Sequence, residues 1–396
     1  MRGLTHACTL EGERTKVRGE VAEGGSPMRV VIAGGGTGGH TSAGLAVAAA
    51  LQQRGIECHW IGSRAGIEAR RVPESGLPYH AIPTGKLRRY WDWQNFPDLL
   101  LRAPAGVVQC RRLLGRIKPD VVFATGGFVA LPTVFAAKSR RIPIVVHEQT
   151  SVPGLANRIA GRMAQKIALT FPQMGTEFPP EKVVVTGNPL RPELQGGSRE
   201  AGLASLGLDP ALPVIYVTGG AQGSHPINRA VGETLALLLE TCQVIHQCGD
   251  NPETGDRPWL EKQARDLPAG LRMRYHLIPY VGAELRDVYA VASLVVGRAG
   301  AGTVSECCHL GLPALYIPLP GTSGDEQTAN ARLVQAAGGA VLFPQIALTP
   351  RSLLESVRGL LADPSRLKAM GERARSLAVP DAADRIVRLI LEAASP

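Results

Sequence analysis

Two glycine-rich turns, one in each half of the chain, constrain the fold more than any other feature. The first is Gly34-Gly35-Gly36-Thr37-Gly38-Gly39-His40, directly after the apolar run Val30-Val31-Ile32-Ala33. The second is Gly219-Gly220-Ala221-Gln222-Gly223-Ser224, after Val214-Ile215-Tyr216-Val217. Each leads into a segment of helical composition. A strand, a glycine turn and a helix start together form an anion site, because backbone N–H groups and the helix dipole converge on one point. Two such units predict an α/β protein of two doubly wound, Rossmann-like domains facing each other across a cleft. A third segment, Arg298-Ala299-Gly300-Ala301-Gly302-Thr303-Val304-Ser305-Glu306, narrows the ligand towards a nucleotide diphosphate.

The rest of the chain agrees with parallel sheets, since strand and helix signals alternate throughout. Residues Val30–Ala33, Glu57–Ile61, Val121–Ala124, Ile144–His147 and Lys166–Thr170 read as strands of the first half. Val214–Thr218, Gln243–Gln247, Met273–Ile278, Leu294–Val296, Ala314–Ile317 and Ala340–Phe343 read as strands of the second. Ala43–Arg54, Asn228–Thr241 and Thr303–Leu310 read as helices. With 396 residues there is length for two cores. A Pro, Gly, Arg and Ser-rich stretch near 188–200 marks a linker. The expected division is a disordered extension or misplaced start at 1–27, a first domain at 28–190 and a second at 191–378. The amphipathic end, 379–396, is expected to cross back and brace the first domain.

Composition excludes several classes. No apolar run reaches the roughly 18 residues that span a bilayer, and the first 27 residues hold no signal-peptide core. The seven cysteines show no metal or disulfide spacing and read as reduced thiols. The formal net charge of +9 favours an anionic partner. With aromatics at only 5% and no recognition motif, nucleic acid is not that partner. The stretch from Thr84 to Asp120 concentrates the charge. It carries Lys86, Arg88, Arg89, Arg102, Arg111, Arg112, Arg116 and Lys118, interleaved with Tyr90, Trp91, Trp93, Phe96 and Leu99-Leu100-Leu101. That mixture suits an anionic membrane surface. The plainer alternative is a solvated basic helix whose apolar stripe packs on the sheet.

Taken alone, Gly34-x-Gly36-x-x-Gly39 matches a dinucleotide fingerprint. That fold wants an acid at the end of the second strand, where this chain has Gly62-Ser63; Glu57 stands at the wrong end. His40, opening a helix at the carboxyl edge of a sheet, is instead placed for acid/base work, and the positive helix end favours its neutral form. In the third segment Gly300 and Gly302 admit a phosphate closely. Thr303 is expected to N-cap the helix, and Glu306 to follow one turn later on the same face, suited to the two hydroxyls of a ribose.

At this level of detail the chain resembles the MurG-type N-acetylglucosaminyltransferases, GT-B enzymes of glycosyltransferase family 28. The matching segments are GGTGGH (35–40), ATGGFV (124–129), HEQ (147–149), PGLANR (153–158), VTGNPLR (185–191), GGAQGS (219–224), the loop 298–306, GLPAL (311–315), DEQTANA (325–331) and PDAADRI (380–386). The ordered set, rather than any one member, is specific. The resemblance implies inverting transfer of GlcNAc from UDP-GlcNAc to the MurNAc C4 hydroxyl of lipid I. It also implies a peripheral position on the cytoplasmic membrane face, with cell-wall or division proteins as possible partners. It places Thr37, Gly38 and Gly39 by the donor diphosphate and the acceptor, and Arg191 with Ala221, Gln222 and Gly223 at donor phosphates. Val281 would pack near uracil, and Ala301, Gly302 and Thr303 line the diphosphate, with Val304 and Ser305 in the same segment. Glu306 would hold the ribose and Gln327 the GlcNAc hydroxyls. His40 would be the base, with Glu148 lining the acceptor cleft and Thr150 nearby. This chain departs from the family's usual residues at Thr150 (Asn), Ala221 (Ser) and Ala43 (Pro), and reads Ala299-Gly300-Ala301-Gly302-Thr303 where the family usually has SGAxT; backbone donors survive these changes.

No Asp-x-Asp motif stands near the loops, so neither a metal nor another cofactor is expected. Three alternatives stay open at this point. One is a GT-B transferase with another lipid acceptor. Another is a sugar-nucleotide epimerase, which would need a further acid/base set. The third is a weakly catalytic paralogue that scaffolds a cell-wall complex.

Overall fold

The computed structural model describes residues 27–84, 103–282 and 284–395. Within them lie two parallel sheets. The first has seven strands: β1 (Arg29–Gly34), β2 (Glu57–Ser63), β3 (Tyr79–Ile82), β4 (Val121–Gly126), β5 (Ile144–Glu148), β6 (Lys166–Leu169) and β7 (Val183–Val185), in the order β3-β2-β1-β4-β5-β6-β7. The second has six: β8 (Val214–Thr218), β9 (Gln243–Gln247), β10 (Tyr275–Ile278), β11 (Leu294–Gly297), β12 (Ala314–Tyr316) and β13 (Ala340–Leu342), in the order β10-β9-β8-β11-β12-β13. The order reverses beside β1 in one sheet and beside β8 in the other. Ligands of doubly wound sheets bind in the crevice opened by such a reversal. Both glycine turns follow a switch-point strand.

Central strands covered by helices on both faces read as continuous apolar runs. Val30 to Ala33 are fully buried, with Val31 and Ala33 in the core on one face and Val30 and Ile32 in the core on the other. Trp60 on β2 is fully buried, and its indole N–H donates to the Gly34 carbonyl at 3.1 Å, tying the first glycine turn to the neighbouring strand. Edge strands lack this signature. β3 and β7, four and three residues long, lie at the two rims of the first sheet, and the hydrophobic pattern did not reveal them. Two helices also differ from expectation. The first spans Gly38–Gln52, taking both glycines into its opening turn. The expected helix over 228–241 is instead His225–Glu233 followed by Leu235–Leu239, broken at Thr234, whose hydroxyl donates back to the Ala230 carbonyl at 2.8 Å.

The chain passes between the two sheet units twice, near residues 186–191 and again near 377–382. Gly187 takes φ +78°, and a Cβ there would meet Val379 at 2.5 Å, so the two crossings touch. His309 Nε2 lies 3.1 Å from the Val379 carbonyl. After the second crossing the helix Ala382–Ala394 buries Ile386, Val387, Leu389 and Ile390 against Val30, Ile32, Leu51 and Trp60. The C-terminal helix therefore completes the first core.

Two fully buried histidines make the fold acid-sensitive. Burial pushes His147 on β5 down to about 4. It pushes His246 on β9 down to about 3; His246 is bonded to Tyr275 Oη at 2.9 Å and Asn228 Oδ1 at 3.0 Å. Both stay neutral in the fold at pH 5, while their unfolded counterparts are protonated below about 6.5. The unfolded state then binds more protons, so stability falls as pH drops from 6.5 towards 4, by on the order of 3 kcal/mol for His147. The thermal midpoint is expected to decline steadily across that window; a flat midpoint from pH 6.5 to 4.5 would contradict it.

Candidate functional site

In the first unit the switch point brings the turn after β1 against the turn after β4. Thr37 caps the helix Gly38–Gln52, its hydroxyl accepting from His40 N at 3.4 Å. Gly38 and Gly39 form the first helical residues, and a Cβ at Gly39 would meet the Gln149 amide at 2.8 Å. His40 is partly buried, with Gly126 and Gly127 against its ring. Its Nδ1 lies 3.0 Å from the Gln149 amide. With that amide turned to satisfy both its ends, Gln149 Oε1 accepts from His40 Nδ1 and, at 3.2 Å, from His40 N, while the nitrogen donates to the Gly39 carbonyl. Burial lowers the His40 pKa; Glu148, the Thr125 carbonyl and Glu68 pull the other way without reversing it. The imidazole is therefore neutral near pH 7.

Glu148 does not line an open cleft. It is 1% exposed, and its carboxylate accepts from Thr150 N (3.0 Å), Thr150 Oγ1 (2.8 Å), Gly154 N (3.2 Å) and Asn157 Nδ2 (2.9 Å). It ties β5 to the helix Leu155–Met163. Thr150 turns its hydroxyl into the same loop. A second buried carboxylate, Glu68, underlies the first glycine turn and accepts from Gly36 N (3.0 Å), Ser63 N (3.2 Å) and Ser63 Oγ (2.5 Å).

In the second unit the turn after β8 lies beside the loop after β11. Gly220 N donates to Thr218 Oγ1 at 3.1 Å, and Gln247 Nε2 donates to the Gly220 carbonyl at 3.0 Å. Ala221 and Gln222 are exposed at the tip. Gly223 has φ +75° and packs on the Cys248 carbonyl. The Val281 side chain belongs to the core, at 2% exposure, and its N–H donates to Gln247 Oε1 at 3.1 Å. Contact with a base would therefore come from its backbone or neighbours.

The expected cap at Thr303 is not found. The helix spans Ala301–Leu310 with Gly300 as N-cap, because the small backbone of Ala299-Gly300 turns at the strand end and leaves Thr303 in the first turn. Val304 is fully buried and Ser305 nearly so, both turned inward. Ala301, also buried, Gly302 and Thr303 form the helix start, with open space beside Gly300 and Gly302. Arg298 anchors the loop by donating to the Ile317 and Pro318 carbonyls and to Gln345 Oε1 at 2.6 Å.

Glu306 already has partners. Arg191 Nε and an Arg191 terminal nitrogen donate to Oε1 at 3.0 and 2.8 Å, and Tyr289 Oη donates to Oε2 at 2.8 Å. Burial works against the Arg191 charge, but Glu306 and Tyr289 outweigh it and hold the guanidinium pKa above its ordinary value. Gln327 Oε1 accepts from Leu319 N at 3.0 Å.

The two half-sites meet. The helices Gly38–Gln52 and Ala301–Leu310 touch, and Arg71 lies over the Tyr280 ring at 5.2 Å. Fully buried Asn330 accepts from Ser151 N at 3.0 Å and donates to the Ala299 carbonyl at 3.1 Å, linking the loop after β5 to the loop after β11. Glu68, Gln247, Tyr289 and Asn330 escaped the sequence reading. A polar residue on an otherwise apolar helix face was the available signal for Glu68 and Asn330. Among the described residues, no group of three or more His, Cys, Asp or Glu could hold a metal ion.

Comparison with known proteins agrees with this geometry. Residues 30–169 match the glycosyltransferase family 28 N-terminal domain and residues 214–386 its C-terminal domain. A relative from Lachnoclostridium phytofermentans is 38% identical over 92% of this chain and 98% of its own length. One from Nocardioides sp. is 40% identical, also over 92% and 98%. Both are named UDP-N-acetylglucosamine--N-acetylmuramyl-(pentapeptide) pyrophosphoryl-undecaprenol N-acetylglucosamine transferase. The crystal structure of Acinetobacter baumannii MurG superposes with a TM-score of 0.69 at 28% identity, over 92% of this chain and all of that one. A UDP-GlcNAc 2-epimerase from Neisseria meningitidis, at 18% identity and a TM-score of 0.64, shares the fold. The two sheets, their paired switch-point loops and these full-length similarities show that the chain belongs to glycosyltransferase family 28.

Proposed function

We propose that this chain transfers GlcNAc from UDP-GlcNAc to the C4 hydroxyl of MurNAc in lipid I, forming lipid II with inversion. The observation that carries the reading is the pairing, across one cleft, of a neutral histidine with an open glycine cradle at Gly300 and Gly302. The relatives' printed activity supplies the substrates. The second domain, beginning near residue 191, receives the donor. The ribose hydroxyls take the place of Arg191 and Tyr289 on Glu306, and Arg191 turns to the diphosphate. The acceptor hydroxyl attacks the anomeric carbon, the bond from that carbon to the UDP oxygen breaks, and the hydroxyl proton passes to His40. Charge growing on the β-phosphate faces the helix starts at His225 and Ala301, which stabilise the transition state more than the ground state. Glu148 holds the loop beside His40 in place.

The acceptor carries a polyprenyl tail, so the first domain must reach a membrane surface. No helix among the described residues is long and apolar enough to cross one. The residues 85–102 of the basic stretch, with Lys86, Arg88, Arg89 and the tryptophans, lie outside the described residues. The helix Ala103–Ile117 buries Cys110, Leu114 and Ile117 in the first core, so its apolar stripe does pack on the sheet. Its outer face presents Val108, 50% exposed, with Arg111, Arg112 and Arg116. The neighbouring helix Leu131–Ser139 adds Phe135 and Lys138, followed by Arg140 and Arg141. This cationic face with two apolar protrusions suits an anionic leaflet on the cytoplasmic side, at about 1 kcal/mol per basic residue.

The decisive test is turnover of UDP-GlcNAc with a lipid I analogue, expected to persist in excess EDTA. No lipid II, or activity that returns only with magnesium or manganese, would overturn the scheme. Two variants separate binding from chemistry. Glu306→Ala is expected to weaken UDP-GlcNAc binding at least tenfold by calorimetry, whereas His40→Ala is expected to leave that affinity intact and lower kcat roughly 10²–10⁴-fold. The opposite pattern would reverse the two assignments. Charge reversal at Arg111 and Arg112 is expected to reduce sedimentation with anionic vesicles without changing donor affinity; undiminished sedimentation would move the docking face elsewhere.

A further inference from the structure

The cleft between the two units holds two guanidinium groups, one from each side, and they are held differently. Arg191, at the start of the second unit, is mostly buried and paired with Glu306 at 2.8 Å. Arg71 comes from the first unit, on the helix Ile67–Glu74, and is half-buried. Its guanidinium lies over the ring of Tyr280, 5.2 Å from the centroid, in the loop that follows β10 of the second unit. Tyr280 directly precedes Val281, whose N–H is held by Gln247. Arg70, next to Arg71, reaches Glu74 at 3.7 Å. Among the described residues Arg71 itself has no hydrogen-bond acceptor and no ion-pair partner, only the face of the ring. Burial, Arg191 and Arg70 hold its pKa below the ordinary arginine value, and Glu74 and Glu193 pull the other way without reversing this. Like charges brought together across an interface oppose its formation, and a cation–π contact at a half-exposed ring offsets little of that. Two cations that converge from opposite sides of a cleft raise the local concentration of anions there. A guanidinium whose fork of donors is free matches the paired oxygens of a phosphate.

We propose, on the reading that UDP-GlcNAc is the donor, that Arg71 is a donor-binding residue supplied by the acceptor unit: it leaves the Tyr280 ring for the diphosphate and, with Arg191, holds that anion from both sides of the cleft. The exchange costs little, because a weak contact with a ring is given up for a charge-assisted pair. It also removes the repulsion between the two arginines, since the anion comes to lie between them. The diphosphate is charged in the bound donor as well as in the transition state, so the contact strengthens binding more than it speeds the chemical step. Arg71 belongs to the first unit, so a filled donor site draws that unit onto the second.

Calorimetry with UDP and with uridine tests the contact without an acceptor. Arg71→Leu is expected to weaken UDP binding roughly 10-fold, the scale of one charge-assisted hydrogen bond. It is expected to leave uridine binding within twofold and the thermal midpoint unchanged, and UDP affinity is expected to fall less steeply with salt than in the parent. Arg71→Lys keeps the charge and is expected to bind UDP within threefold of the parent. Unchanged UDP affinity in Arg71→Leu would overturn the proposal. So would an equal loss for UDP and uridine, or a lysine variant as weak as the leucine one, because Arg71 would then only support the Tyr280 ring. In turnover with a lipid I analogue, Arg71→Leu is expected to raise the donor KM about 10-fold with kcat within threefold; a fall in kcat at constant KM would overturn the proposal. A parent that binds no UDP would overturn the donor assignment itself, whereas a parent and an Arg71→Leu chain that bind UDP equally would overturn this inference alone.

Discussion

Every strand in both sheets runs in the same direction, and the rest of the molecule depends on that constraint. Parallel pairing puts all strand carboxyl ends on one edge and returns most connections through an α-helix, the link from β6 to β7 being made by short 3-10 turns. The edge therefore collects turns and helix starts, with their unsatisfied N–H groups, while the opposite edge collects little chemistry. The order reversal beside β1 and β8 then opens one crevice per sheet. Glycine is needed at the crevice because neighbouring backbones approach too closely for a Cβ, as at Gly127 against the Gly35 carbonyl and Gly223 against the Cys248 carbonyl. The site is thus a consequence of topology before any side chain acts.

Side chains then divide the cleft by how their charges are held. Glu148 and Glu68 are buried and surrounded by donors from their own unit, so they stiffen loops and set potential. Glu306 is held by Arg191 and Tyr289, groups that the proposed nucleotide would replace. Its partners include a mobile-length guanidinium from the linker, and the pair is only partly buried. A carboxylate whose bonds can be exchanged at low cost is the one suited to ligand binding. Asn330 makes the division spatial, since one buried amide joins loops from both units.

Much of this was legible in the sequence, for reasons that differ by element. Central strands announced themselves because burial on both faces demands unbroken apolar runs, as in Val30 to Ala33. The rim strands Tyr79–Ile82 and Val183–Val185 did not, since half-buried edges carry no such demand. The glycine turns were readable because a backbone held this close to its neighbours restricts residue type and spacing; the roles of His40 and Glu306 belong to the proposed function. Glu68 was not readable, because nothing in a linear pattern says that a glutamate in the next helix will reach back to a glycine N–H. Thr303 shows the reverse error. Its type suits a cap, but Gly300 stands in the cap position immediately before the helix, and cap position follows backbone path rather than side-chain preference. Val281, Val304 and Ser305 were assigned by adjacency, and helix and strand geometry turned them inward.

The double crossing of the chain has a mechanical consequence. A body joined to another at one point can tilt, twist and swing. Joined at two neighbouring points, it keeps essentially one freedom, rotation about the line through both. Here that line runs through Gly187 and Val379, which touch, and the terminal helix clamps one end of it to the first core. A separation of the two units would thus be a door's motion on a two-pin hinge, and it would have to break the Asn330 bonds that join the loops after β5 and β11.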